Sequence, residues 1–442
     1  MHIHIPNDIP VRYLERSKQG NLLPIILVVI GAIGSVGALL TDAHAFRVSW
    51  AANWLYFTSI SMGAVLVVVA TAIVKARWNW SLKRISVAFA AYLPFAFLTL
   101  LPMLGFREDY FHWISEMASD PILQAKAAYL NVPFLVVRNL VGAAALFGLA
   151  LYVAYLTVRP DLDFARAAAT DDPGRARWRE RLTGGWLGQE AEEVKSWHRL
   201  QTIAPLFVFS YAVIMSMFVI DWAMTLEPHW LSTLFGGWFF MGAFWGGFAA
   251  TAVAACRMIP LHPDFRTSIG LQQRHDLGKL VFGFTVFWTY LFWSQYLVIW
   301  YGKLPWEQAW MARRAGAPWG VLSALTIVLC FVVPFTGLLG KKPKLNPTTL
   351  SLFCSVVLFG LWLERYMLIA PSLHREGDSI FPIWHPLIAC LFAGLMLGSV
   401  RWFLATFPAI QVWQAPIPLE MMESERMLDG GAERRSGTGA GH

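Results

Sequence analysis

Charge is what this sequence has least of. Asp, Glu, Lys and Arg make up 14% of its 442 residues, against roughly 25% in an ordinary soluble domain. That shortage excludes a chain surrounded by water, whose surface would be built largely from charged side chains. Cysteine is scarce too. Cys256, Cys330, Cys354 and Cys390 all fall within or at the ends of apolar runs. No CxxC or CxxCH spacing occurs, so nothing marks a zinc site or covalently attached haem, and the four read as small packing residues. Histidine occurs at 2, 4, 44, 112, 198, 229, 262, 275, 374, 385 and 442, never in the middle of an apolar run. Haem buried in a helical bundle needs axial ligands on facing helices, so a b-type cytochrome is not expected. A cleavable leader is missing as well. Residues 1–20 are polar, and no small-residue cleavage pattern follows the first apolar run, which reads as a retained helix.

What the sequence does have is hydrophobic length. Apolar residues make up 57% of it. Ten runs reach the roughly 20 residues needed to cross a bilayer: about 21–41, 50–74, 84–105, 132–158, 200–223, 232–257, 276–301, 318–340, 346–370 and 384–407. Each must be helical, since lipid offers backbone amides no partner. Many of the 22 Trp, including Trp50, Trp54, Trp78, Trp80, Trp230, Trp300 and Trp306, lie near run ends, as in an interfacial belt. The expected fold is all-α and polytopic, with a segment at 1–20, a membrane domain at 21–410 and a disordered tail at 411–442. The connection at 159–199 is the longest, and its stretch DFARAAATDDPGRARWRERL is expected to form a surface helix.

The net charge of +7 is explained by topology, not by nucleic acid. With an even number of crossings both termini share a side. The segments on that side hold 24 Lys and Arg, and the loops on the other side hold seven. The positive-inside rule therefore places the termini in the cytoplasm. The loop with Lys303, Arg313 and Arg314 is the exception. Gly242 and Gly246 form a GxxxG pair suited to close helix approach.

Ionisable residues inside spans are costly and mark function by default. Arg138 lies about two turns into the run at 132–158. Asp221 closes the run at 200–223, with Glu227 and His229 just beyond it. Glu364 and Arg365 lie in the outer third of the run at 346–370. These residues are expected to form a charged cluster near the outer face, with Lys279, His275 and Asp276 at the inner one. Helix pairing and snorkelling would explain Arg365, Lys279 and Asp276 equally well. For Arg138, Asp221 and Glu364 the functional reading is favoured. Pro94 and Pro334 interrupt two runs. A secondary transporter stays open as the alternative, although no matched pair of broken helices emerges.

Two stretches go beyond generic membrane chemistry: DWAMTLEPHWLSTLFGGWFFMGAF (221–244) and HDLGKLVFGFTVFWTYLFWSQYLVIWYGKLP (275–305). Both resemble the NrfD-like (polysulfide reductase membrane subunit) superfamily, and within it the ActF-type subunits of bacterial alternative complex III. KAAYLNVPFLVVRNLV (126–141) and PFTGLLGKKPKLNP (334–347) add to the likeness, which spans about 20–410. The resemblance implies two four-helix bundles with one flanking helix at each end. It also implies a quinol:cytochrome c oxidoreductase complex in the bacterial cytoplasmic membrane. Its partners would be an iron–sulfur subunit, multihaem cytochrome c subunits, an ActC-like second NrfD-like subunit and small membrane subunits. Haem c and iron–sulfur clusters would sit on those partners, and the ActC-like subunit is the stronger candidate for the quinol site. The present chain would be a non-redox subunit, not catalytic alone, that scaffolds the complex and contributes a proton path or quinone pocket. The residues carried over are Arg138, Asp221, Glu227, His229 and Lys279, with Glu364 on a looser match.

Overall fold

The computed structural model describes residues 5–6, 8–164 and 172–414. Ten long helices follow the apolar runs: α1 (Lys18–Thr41), α2 (Ala43–Ile73), α3 (Lys83–Gly105), α4 (Val132–Val158), α5 (Gln189–Trp222), α6 (Thr233–Met258), α7 (Leu271–Gly302), α8 (Gly320–Leu338), α9 (Pro347–Leu373) and α10 (Trp384–Thr406). Among the described residues nine helices are long and apolar enough to cross a membrane. The chain is an all-α, multi-pass membrane protein. The helix outside that count is α7. Its Trp, Tyr and Gln residues lower its mean hydropathy, but its 32 residues reach about 48 Å.

Which end each loop occupies follows from its partners. The Ala409 N–H donates to the Arg12 carbonyl at 2.7 Å, and the Leu14 N–H donates to the Leu404 carbonyl at 2.9 Å. The entry to α1 and the exit from α10 therefore meet. Arg12 also pairs with Asp264 in the α6–α7 connection, and Arg16 pairs with Asp172. At the opposite end His44 bonds to the Leu373 carbonyl, Arg47 pairs with Asp109, and Glu227 accepts from Arg313 and Ser372. A chain whose described ends meet at one end of a bundle passes through it an even number of times. α7 runs between the same two ends. It starts beside Lys344 at the first end, and the helix that follows it, Pro305–Ala315, reaches Glu227 at the second.

α2 is the buried axis of the fold. It packs against α3, α5, α6, α9 and α10, while α1 lies along α10 on the outside. α4 joins α3 and α5, and α8 joins α7 and α9. α2 and α6 touch backbone to backbone. A Cβ built on Gly63 would sit 1.8 Å from the Ala243 carbonyl oxygen, and one on Gly247 would sit 2.1 Å from the Gly63 carbonyl carbon. The expected Gly242 and Gly246 also face neighbours, Arg365 and Trp288 at Gly242 and Ile60 and Leu361 at Gly246. Both prolines act where expected. Pro94 follows a 3₁₀ stretch, Ala88–Tyr92, and Pro334 follows a π turn, Val328–Val332. Proline lacks an N–H and crowds the preceding turn, which these local rewindings accommodate.

Several expectations change. Trp300 and Trp306 are exposed at the helix ends, but Trp54 and Trp230 are interior. The Trp50 and Trp54 indoles donate to the Thr99 and Ala96 carbonyls, pinning α2 to α3. Arg84 and Arg159, counted with the loop charges, are buried in ion pairs with Asp161 and Glu192. Asp161 also accepts from the backbone N–H groups of Val412 and Trp413, so residues 411–414 are packed against the bundle. The rest of the expected tail, 415–442, lies outside the described residues. The expected surface helix is present at Pro173–Leu182. Its upstream part, 165–171, lies outside the described residues too.

Candidate functional site

The cluster expected at the outer face resolves into separate groups. The first is a clamp between α4 and α5. Asn131 caps α4 by accepting from the Phe134 N–H at 2.9 Å, which brings Arg138 and Asn139 around to face Asp221. Arg138 grips both carboxylate oxygens, Nε to Oδ2 at 2.9 Å and Nη2 to Oδ1 at 2.7 Å. The Tyr129 hydroxyl donates to Oδ1 at 2.8 Å, and the Asn139 amide donates to Oδ2 at 2.7 Å. The Trp222 indole in turn donates to Asn139. Burial, and then the charge of Asp221, raise the Tyr129 hydroxyl well above its ordinary range, so it remains a donor. With four donors on one fully buried carboxylate, Asp221 is a fixed counter-ion. This is how a charge is tolerated in low dielectric.

The second group surrounds Glu227. Its Oε1 accepts from the Ser372 hydroxyl at 2.6 Å and pairs with Arg313 at 3.1 Å and Arg314 at 3.5 Å. Arg314 is buried. It donates to the Met367 and Leu368 carbonyls and to Ser372, and its guanidinium lies 3.9 Å from the centre of the Trp310 ring. It satisfies the carbonyls at the C-terminal end of α9, where a cation is favoured. That role gives Arg314 a packing reason to sit in this loop. Trp230 stacks on Trp310 at 4.1 Å, tying the α5–α6 loop to the same platform. His229 stands apart, half exposed and 2.6 Å from Asp120. The Ile122 N–H, and after it His229, hold the Asp120 carboxyl below the usual range. Lys279 is at the opposite end, exposed and paired with Asp276 one turn away at 2.7 Å. It shares no contact with Asp221, Glu227 or Glu364.

The third group lies deeper. Glu364 and Arg365 are adjacent on α9 and hydrogen-bonded to each other, with Glu364 Oε2 accepting from Arg365 Nη1. Arg365 lies over the Phe239 ring at 4.1 Å and donates to the Phe239 carbonyl. The absence of a Cβ at Gly242 leaves room for its guanidinium. Among the described residues no donor reaches Glu364 Oε1, although the residue is only 3% exposed. Glu364 lines a cavity of about 260 Å³ between α6, α7, α8 and α9. Its walls include Trp238, Trp288, Phe292, Trp310 and Arg314. Arg314 is the shared residue, linking this cavity to Glu227 and through it to exposed Arg313.

The sequence reading placed no histidine in the middle of an apolar run, and His385 indeed lies at the start of one, yet it is buried. It opens α10 fully buried, stacked on Trp362 with the Tyr366 ring tilted against it. Its neighbours Asn53 and Trp362 lie about 15 Å inside α2 and α9 at 1.5 Å per residue. Asn53 receives the Trp362 indole N–H at 2.8 Å and contacts His385 Nδ1 at 3.4 Å. Packing of the connection after α9 against α2 and α9, not place within the run, buries this histidine. No protein-family model matches the chain, and no curated protein matches it either.

Proposed function

We propose that the chain is a membrane subunit of a quinol:cytochrome c/electron acceptor oxidoreductase of the alternative complex III type. It lies in a bacterial cytoplasmic membrane, crosses it ten times and keeps both termini in the cytoplasm. α2–α5 and α6–α9 form its two bundles, with α1 and α10 flanking. It carries no redox group. Haem c and iron–sulfur clusters belong to the iron–sulfur, multihaem cytochrome c and ActC-like partners, and small membrane subunits complete the assembly. Its own contribution is a scaffold and a proton path through Glu364.

The observation that carries this reading is the Glu364 carboxylate, buried with one oxygen unpartnered at the head of a cavity that leads to Arg314 and Glu227. Quinol oxidation releases protons, and intramembrane carboxylates of this kind serve as proton relays. The aromatic cavity walls favour a second reading, a pocket for a quinone ring, since ligand sites are mostly apolar with a few convergent polar groups. On this reading the electron acceptors belong to the partner subunits, and a quinol bound here would be held without being oxidised at this site.

Affinity purification of the tagged chain from native membranes tests the assignment. Haem c absorption and iron–sulfur protein are expected to elute with it in fixed proportion. A chain that elutes alone and drives solute uptake in vesicles is a transporter instead.

A further inference from the structure

The end opposite Glu364 carries a second cavity of about 410 Å³, between α1, α3, α6, α9 and α10. Its walls are almost wholly apolar, with Leu23 and Pro24 from α1, Ala254 from α6 and Met396 from α10. Two arginines interrupt them, Arg257 and Arg401. Neither has a hydrogen-bond or ion-pair partner among the described residues. The Nε of Arg401 is buried and unsatisfied. Its guanidinium lies against the start of α1, where a Cβ on Gly20 would sit 1.9 Å from Nη2. No carboxylate lines the cavity, and Asp264 and Asp172 at this end are engaged with Arg12 and Arg16. The positive end of the α1 dipole adds to the same spot. Leu23, Leu261 and Leu397 carry the apolar surface outward onto the lipid-facing side.

We infer that this cavity is a binding site for an anionic phospholipid of the inner leaflet. The phosphate sits between Arg257 and Arg401, and an acyl chain lies along α1 and α10. Two unpaired guanidiniums at the mouth of an apolar groove, at the helix ends where the basic residues collect, complement one negative headgroup and its tail. Basic pockets between membrane helices on this side of a bilayer bind such headgroups. The lipid would fasten the α1–α10 pair to α6 without adding a protein contact.

Native mass spectrometry of the full chain tests this after exchange into phosphatidylglycerol or phosphatidylcholine nanodiscs. The expected result is retention of phosphatidylglycerol, not phosphatidylcholine, unaffected by inorganic phosphate. The double variant Arg257→Gln/Arg401→Gln should bind about thirtyfold more weakly. Ala254→Phe, which fills the groove and keeps both charges, should lose the lipid as well and provides the reading if the double variant fails to fold. Equal retention of both lipids, displacement by phosphate alone, or undiminished binding by Ala254→Phe would overturn the site.

Discussion

Asp221→Ala is expected to destabilise the protein by about 3–5 kcal/mol, the usual penalty for removing one partner of a buried ion pair. The loss comes less from the missing attraction than from what stays behind. Arg138 would keep a buried charge with no counter-ion, and Tyr129 and Asn139 would each lose an acceptor. Asp221→Asn should lose less, because it keeps an oxygen for one of the donors. Arg138→Leu/Asp221→Leu should recover much of the single-variant loss, since a hydrophobic pair of similar volume often replaces a buried ion pair without penalty. Thermal unfolding in detergent, followed by tryptophan fluorescence, orders the three. A single variant within about 0.5 kcal/mol of the parent, as for an ordinary surface change, would mean that Asp221 is not the fixed counter-ion described here.

The second large effect is steric. Gly63→Leu or Gly247→Leu should separate α2 from α6, because the atoms a side chain would meet are backbone and cannot turn aside. Overpacking of a core costs about 1–3 kcal/mol, occasionally more. These sites belong at the upper end, since α2 touches six other membrane helices besides α1, and α6 lies at the centre of the contact between α2, α5 and α9. Gly148→Ala on α4 is the control, because nothing lies within 4 Å of the Cβ it would add. Yield of monodisperse protein after size exclusion separates the two classes. Equal yields would show that the helices can part at no cost.

The ten helices were legible because lipid imposes a length and an apolar composition on anything that crosses it. The runs at 132–158 and 232–257 coincide with α4 and α6 to within a residue. α5 extends eleven residues before its apolar run because Glu192 pairs with Arg159 beyond the hydrocarbon. Ionisable residues inside runs were also legible, since their rarity makes them visible. Their partners were not. Arg138 and Asp221 are 83 residues apart in sequence, and no local pattern joins them. The single outer cluster expected for Arg138, Asp221, Glu227, His229 and Glu364 is instead a clamp, a loop anchor, a surface pair and a deep carboxylate. Depth along a run says how far a residue lies from the end, not which way it faces. Arg314 and His385 went unrecognised for the same reason. One lay in a loop and the other at a helix start, and tertiary packing buried both.

The most direct test of the central claim uses the purified complex reconstituted in liposomes, with proton release and electron transfer recorded together for Glu364→Gln. The amide keeps the shape and can still bond to Arg365, but it does not carry a proton. The expected result is electron transfer close to the parent rate with proton release per electron strongly reduced. An unchanged ratio of protons to electrons would contradict the account, because the cavity at Glu364 would then have no part in moving protons.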